Sequence, residues 1–333
     1  LTINGSISPR HGLDNYGTLD NNGTIRVGNT TAVGAIGIVQ RNGGTLNNKT
    51  GGLIQIDRTS AVEAFYTSGV VNNEATIEIG SIAAVTGNGL SVDGSGTFNN
   101  KTGGSLTINA ATYIGIANGG TTNNTGTITI GNISSLTHDG IQTSGIFNNN
   151  LGGTININRT GGFGGVNNSG SFTNAGGITI GDIAITSQDD IENYGTFINA
   201  TTGVISVDRA WANGIWNIAG TFQNAGKIKI GSIASTGTGI LNYVPFTNNA
   251  GAEIHIDRVP NGIVSTNTFT NAGLIKIGAN ASLTASGIDN TSSGTFHNNT
   301  GGLIQIDRTG GTQAFKTSGV INNEATIEIG SNA

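Results

Sequence analysis

Few residues in this chain are equipped to do chemistry. The densest carboxylate group is Asp189-Asp190 with Glu192, near Asp182. Paired carboxyls on one face, one of them kept protonated, are what cleavage of a glycosidic bond requires. Asp190 and Glu192 flank Ile191, and side-chain alternation along a strand predicts that both point outward together. No basic residue joins them from neighbouring repeats, so the expectation is a solvated acidic rim without an acid/base role. The four histidines, His11, His138, His255 and His297, show no metal-ligand spacing. The chain has no Cys, which removes thiolate metal sites and disulfides. The Ca²⁺-binding pattern Gly-Gly-x-Gly-x-Asp is absent. Gly161-Gly162-Phe163-Gly164-Gly165 has the glycine density of a phosphate loop but no helical pattern behind it. The expectation is a protein that is not an enzyme, with no catalytic residue, no metal and no cofactor.

Composition narrows the classes further. The 333 residues include 56 Gly, 3 Pro and 10 % charged residues, against roughly 25 % charged in an ordinary globular domain. The regular segments are too rich in Ile and Val for disorder, and the Gly, Asn and Thr content favours strands and turns over helices. A formal net charge of −5 is dispersed with no basic block, so no nucleic-acid partner is expected. No apolar run approaches the ~18 residues of a membrane span. Met is absent even at position 1, which predicts that the start, with any signal peptide, was lost by processing or lies outside this stretch of the protein.

What positions these residues is a repeat. The segment Gly145-Ile146-Phe147-Asn148-Asn149 has equivalents beginning at 17, 44, 69, 96, 120, 170, 195, 220, 244, 267, 294 and 319, giving thirteen copies about 25 residues apart. Each copy contains three stretches of period-two alternation separated by Gly, Asn and Ser turns. The first reads like Gly195-Thr196-Phe197-Ile198-Asn199, the second like Ile128-Thr129-Ile130, and the third is looser, as in Gly239-Ile240 or Ala314-Phe315. A unit this small buries its apolar face only by stacking on its neighbours, with equivalent strands pairing in parallel. The expected fold is all-β: one continuous right-handed parallel β-helix over 1–333, three short strands per coil, about 13 coils, and a rod of about 60 Å.

Stacking the repeats yields columns. Thirteen second-strand pairs, from Ile25/Val27 to Ile327/Ile329, are all aliphatic and predict the main core ladder. Phe147, Phe172, Phe197, Phe222, Phe246, Phe269 and Phe296 predict a ring stack. Two residues after the Phe position stands Asn in every coil, from Asn21 to Asn323. Parity turns it inward, where amides of successive coils can bond one another. After Ile-x-Ile the residue alternates between Gly and Asp/Asn, as in Gly28, Asp57, Gly80 and Asn109, and Arg58, Arg159, Arg209, Arg258 and Arg308 follow the Asp/Asn. Spacing Arg at every second coil avoids like-charge stacking and leaves Asp neighbours to pair with it. The other use of such a stripe is to grip an anionic surface or glycan. The outward residue between the core aliphatics is mixed and charged (Glu78, Thr129, Lys229, His255), which argues against an ice-binding array.

Residues 44–83 and 294–333 match at 30 of 40 positions, so coils recur as a 250-residue module and the expectation is a stretch of a longer repeat protein. The pattern Gly-Thr-Phe-x-Asn followed by Gly-x-Ile-x-Ile resembles large bacterial surface β-helix proteins, the filamentous-haemagglutinin-like and autotransporter-type adhesins. That resemblance implies secretion to the cell surface and a rod-like structural or adhesive fibre. Its partners would be copies of itself in a filament or bundle, cell-surface glycans, or other cells.

Overall fold

Short alternating segments punctuated by glycine set the architecture. In the computed structural model, residues 1–5, 10–181, 188–209, 211–233, 237–311 and 313–330 are described. They form strands and turns with no helix among them. The chain divides into two compact units, 1–166 and 167–333, and each is a parallel β-solenoid with three strands per coil.

In the first unit the second strands stack in chain order, Thr24–Val27, Leu53–Ile56, Thr76–Ile79, Ser105–Ile108, Thr127–Ile130 and Thr154–Ile157. Their register keeps like with like: Ile25 lies on Ile54, Ile54 on Ile77, Ile77 on Leu106 and Leu106 on Ile128. The first strands, from Thr18–Asn21 to Ile146–Asn149, and the third strands, from Leu13–Asn15 to Ile141–Thr143, form two more sheets. The second unit repeats the plan, with second strands from Gly177–Ile180 to Thr326–Ile329 and first strands from Ser171–Asn174 to Val320–Asn323.

Most strands alternate half-buried with buried residues, as Thr24–Val27 and Leu53–Ile56 do, so one side of every sheet faces a common interior. Ile54, Ile56, Leu106, Ile228 and Ile254 are fully buried, as the repeat predicts. At ~1.5–3 kcal/mol per buried side chain this ladder is the largest stabilising contribution. In the second unit the Phe column runs Phe172, Phe197, Phe222, Phe246, Phe269 and Phe296, with ring centroids 4.6–4.9 Å apart and planes within 8° of parallel. Strand spacing of ~4.8 Å dictates that separation.

Candidate functional site

The turn after the second strand explains the two-coil alternation. Gly28, Gly80, Gly131, Gly231 and Gly278 occupy left-handed backbone, with φ of 69–74°. In the Asp coils the left-handed residue comes one place later, at Arg58 (φ 43°) and Arg258 (φ 52°). At Asp57, Asp257, Arg258 and Arg308 the expected Asp–Arg pairing is corrected, because these side chains serve the backbone of adjacent coils. Arg258 donates to the Ser232 carbonyl at 2.8 Å and Arg308 to the Ala279 carbonyl at 2.7 Å. Asp57 accepts the Ile82 amide at 2.8 Å, and Asp257 accepts the Asn280 amide and its side-chain Nδ2, both at 2.9 Å. An aspartate and an arginine here close opposite ends of a stack of turns.

The inward asparagines form the expected ladder. Asn21, Asn48, Asn73, Asn100, Asn124 and Asn149 each donate to or accept from the next at 2.7–2.8 Å. Asn174, Asn199, Asn224, Asn248 and Asn271 do the same in the second unit, at 2.7–2.8 Å. A second buried polar ladder, beyond the columns that the sequence predicts, closes the third strand. Asn168 donates to Asn193, Asn193 to Asn217, Asn217 to Asn242 and Asn242 to Ser265, at 2.8–3.1 Å. Its sequence signal is an Asn two places after the third-strand apolar residue, as in Ile191-Glu192-Asn193. A third ladder lies on the outer face of the first unit, where Asn47, Asn72, Asn99, Asn123 and Asn148 bond in series at 2.9–3.0 Å. Asn-Asn doublets, such as Asn72-Asn73, are its signature.

The acidic group departs from the expectation of a solvated rim. Asp189, Asp190 and Glu192 are 4 %, 0 % and 5 % exposed; Asp182 lies outside the described residues. Glu192 does sit on the outward parity, but Trp216 is its register neighbour in the next coil and Asn167 donates to it at 3.2 Å. Asn213 donates to Asp189 at 2.5 Å, while burial pushes the Asp189 carboxyl above its ordinary range. Trp216 in the next coil therefore flanks a Glu192 carboxylate that parity alone would expose.

The histidines fall in separate settings. His138 stacks between Tyr113 and Phe163, with centroids at 4.6 and 4.1 Å, and its Nδ1 lies 3.0 Å from the buried Asp139. His297 lies 3.2 Å from the Asn322 amide. Among the described residues no group of three His, Asp or Glu could hold a metal ion. Burial raises Asp139 above the 3.8 of an ordinary aspartate, opposed by the Gly164 amide and by His138. The folded chain thus takes up this proton before the unfolded chain as pH falls, so Asp139 favours folding below the unfolded value and opposes it once pH rises through the folded value. Asp139→Asn is expected to gain melting temperature relative to the parent as pH rises from about 4 to about 7. Melting curves across that window that run parallel for the two proteins would contradict this.

His255 stands apart because of its neighbours. It lies in register between Lys229 and Lys276 on the outer face of the second-strand sheet of the second unit. Beside it opens a groove of about 480 Å³, lined by Lys227, Lys229, His255, Arg258, Ser232 and Asn280 among others. Glu253 pairs with Lys227 and sits 2.9 Å from His255 Nε2; the Lys227 bond, then that of His255, holds its carboxyl below the usual range. The sequence shows no basic block, and this one forms only when three coils are stacked.

No family model and no curated protein matches this chain. Among solved structures it is similar to the TibC-catalysed hyper-glycosylated TibA fragment, at 16 % identity over 98 % of this chain and 97 % of that one, with a TM-score of 0.33. A likeness at that level carries no functional argument, and the functional reading rests on the side-chain geometry of this chain alone.

Proposed function

We propose that this chain is an extracellular structural and adhesive β-helical rod, non-enzymatic, which associates with copies of itself. The observation that carries the reading is where the chemically capable side chains are spent. The inward amides, Asp57, Asp257 and the Arg residues bond coil to coil, and the acidic group nearest to a hydrolase pair is buried, with Asn167 and Trp216 beside Glu192. General acid/base work on a polymer needs open carboxyls flanking the bond to be cut. What remains for recognition is the outer surface, which varies from coil to coil while the interior repeats. The outer Asn row of the first unit supports self-association: Asn72, Asn99 and Asn123 each use one donor and one acceptor within the row and keep one of each, so an identical row is complementary to it.

Electron microscopy of native material is expected to show unbranched fibres or bundles at the cell surface. Incubation with neutral and acidic polysaccharides is expected to leave their chain length unchanged. Dispersed particles inside cells, or polysaccharide shortening that is lost in an Asp190→Asn variant, would overturn the proposal.

A further inference from the structure

We propose that the cationic groove of the second unit binds a linear acidic polysaccharide, bearing carboxylates or sulfates, laid along the file Lys229–His255–Lys276. This deepens the surface-rod reading and rests on it. The chain has six lysines. Four are paired with carboxylates: Lys49 with Asp20, Lys101 with Glu74, Lys227 with Glu253 and Lys316 with Asp289. Lys229 and Lys276 have no carboxylate or hydrogen-bond partner among the described residues, and they are the two that flank His255 in one row. On a chain of net charge −5, unneutralised Lys229 lines the groove together with Arg258, and unneutralised Lys276 continues the row one coil beyond His255.

The two acids beside the groove do not balance its cations: Lys227, Lys229, Arg258 and the adjoining Lys276 stand against Glu253 and Asp257. Glu253 is already shared between Lys227 and His255, and Asp257 is turned onto the Asn280 amides. The two lysines stand two coils apart in one file, at ~9.6 Å, a spacing comparable to the length of two pyranose residues. A polymer with an acid on alternate sugars meets an ammonium group at each of them, and Ser232 and Asn280 supply polar groups for its hydroxyls. No Trp, Tyr or Phe lines the groove, which removes the stacking platforms used for single-stranded nucleic acid. A file within a groove suits a chain better than a planar lipid surface.

The test is calorimetric titration of the full chain with polygalacturonate, dextran sulfate and unmodified dextran, alongside flotation with phosphatidylglycerol vesicles. At least one acidic polymer is expected to bind, more weakly as salt rises, and dextran is expected not to bind. A Lys229→Gln/Lys276→Gln double variant should lose about tenfold in affinity, while Lys49→Gln/Lys101→Gln, with the same charge change, stays within about twofold. Both lysines of the test pair project from the outer face, and an unaltered melting curve checks that the fold is kept. Equal losses in the two double variants, preference for vesicles over the acidic polymers, or no binding would each overturn the site. The chain length of the recovered polymer is read separately: shortening would defeat the non-enzymatic reading, whereas selective loss of affinity bears only on this groove.

Discussion

Asn199→Leu is expected to destabilise the second unit by about 3–5 kcal/mol. Asn199 is fully buried. Its Nδ2 donates to Asn224 at 2.7 Å and to the Gly203 and Lys227 carbonyls at 3.2 and 3.3 Å, and its Oδ1 accepts from Asn174 at 2.8 Å. Leucine of similar size removes every one of these bonds and leaves the facing groups of Asn174 and Asn224 without their partner in a water-free column. Each buried polar group so stranded costs about 1–3 kcal/mol. Space offers no relief, because a Cβ built on Gly203 would lie 2.3 Å from Asn199 Oδ1. The control is its outward neighbour: Ile198→Asn is expected to change stability by no more than about 0.5 kcal/mol. A solenoid need not unfold as one unit, so amide exchange should accompany denaturant curves. Protection should fall at Ala200 and Ala225, whose amides donate to Asn174 and Asn199 carbonyls at 2.7 Å. An unchanged Asn199→Leu variant with a damaged Ile198→Asn one would place the strand one residue out of register.

That prediction can be framed on the sequence because an identical residue recurs at one place in every coil. The same holds for Ile228/Ile230 and Phe222, where strict period-two alternation and the 25-residue recurrence fix both face and stacking partner. The third-strand ladder stands out less for the opposite reason: Gln40, Thr67 and Ser265 interrupt its Asn residues with other polar groups. At Glu192 parity misleads, because it tells inward from outward but not outward from exposed; the size of the residue in the next coil decides that, and here it is Trp216. The groove is invisible along the chain because Lys229, His255 and Lys276 belong to three different coils. Stacking, which sets their distance in space, is the one operation that a linear scan for basic blocks does not perform.

The alternation of Gly with Asp/Asn after Ile-x-Ile leads to the second large effect. Gly231→Ala is expected to cost about 3–5 kcal/mol, whereas Gly251→Ala, in the same unit, should cost only about 1–2 kcal/mol. The two glycines share a left-handed backbone, with φ of 74° and 78°, so the intrinsic penalty for a side chain is the same at both. They differ in what lies overhead. A Cβ on Gly251 meets nothing within 4 Å, while one on Gly231 would stand 1.7 Å from the Asp257 carbonyl oxygen of the next coil. That contact is with backbone, so no rotamer change relieves it. The turn and the coil above must part, which strains the bonds from the Gly231 amide to the Val207 carbonyl at 2.8 Å and from the Asp257 amide to the Ile230 carbonyl at 3.0 Å. It also draws Asp257 away from the Asn280 amide it caps. The same roofing recurs at Gly28 under Asp57 and at Gly278 under Arg308, with built Cβ distances of 1.9 and 2.4 Å, so at these turns glycine is required by its neighbour and not by its own conformation alone. Urea denaturation of the two single variants against the parent measures the difference directly. Equal losses would mean that conformational strain is the whole penalty, and the close approach of successive turns would then explain nothing about the two-coil period.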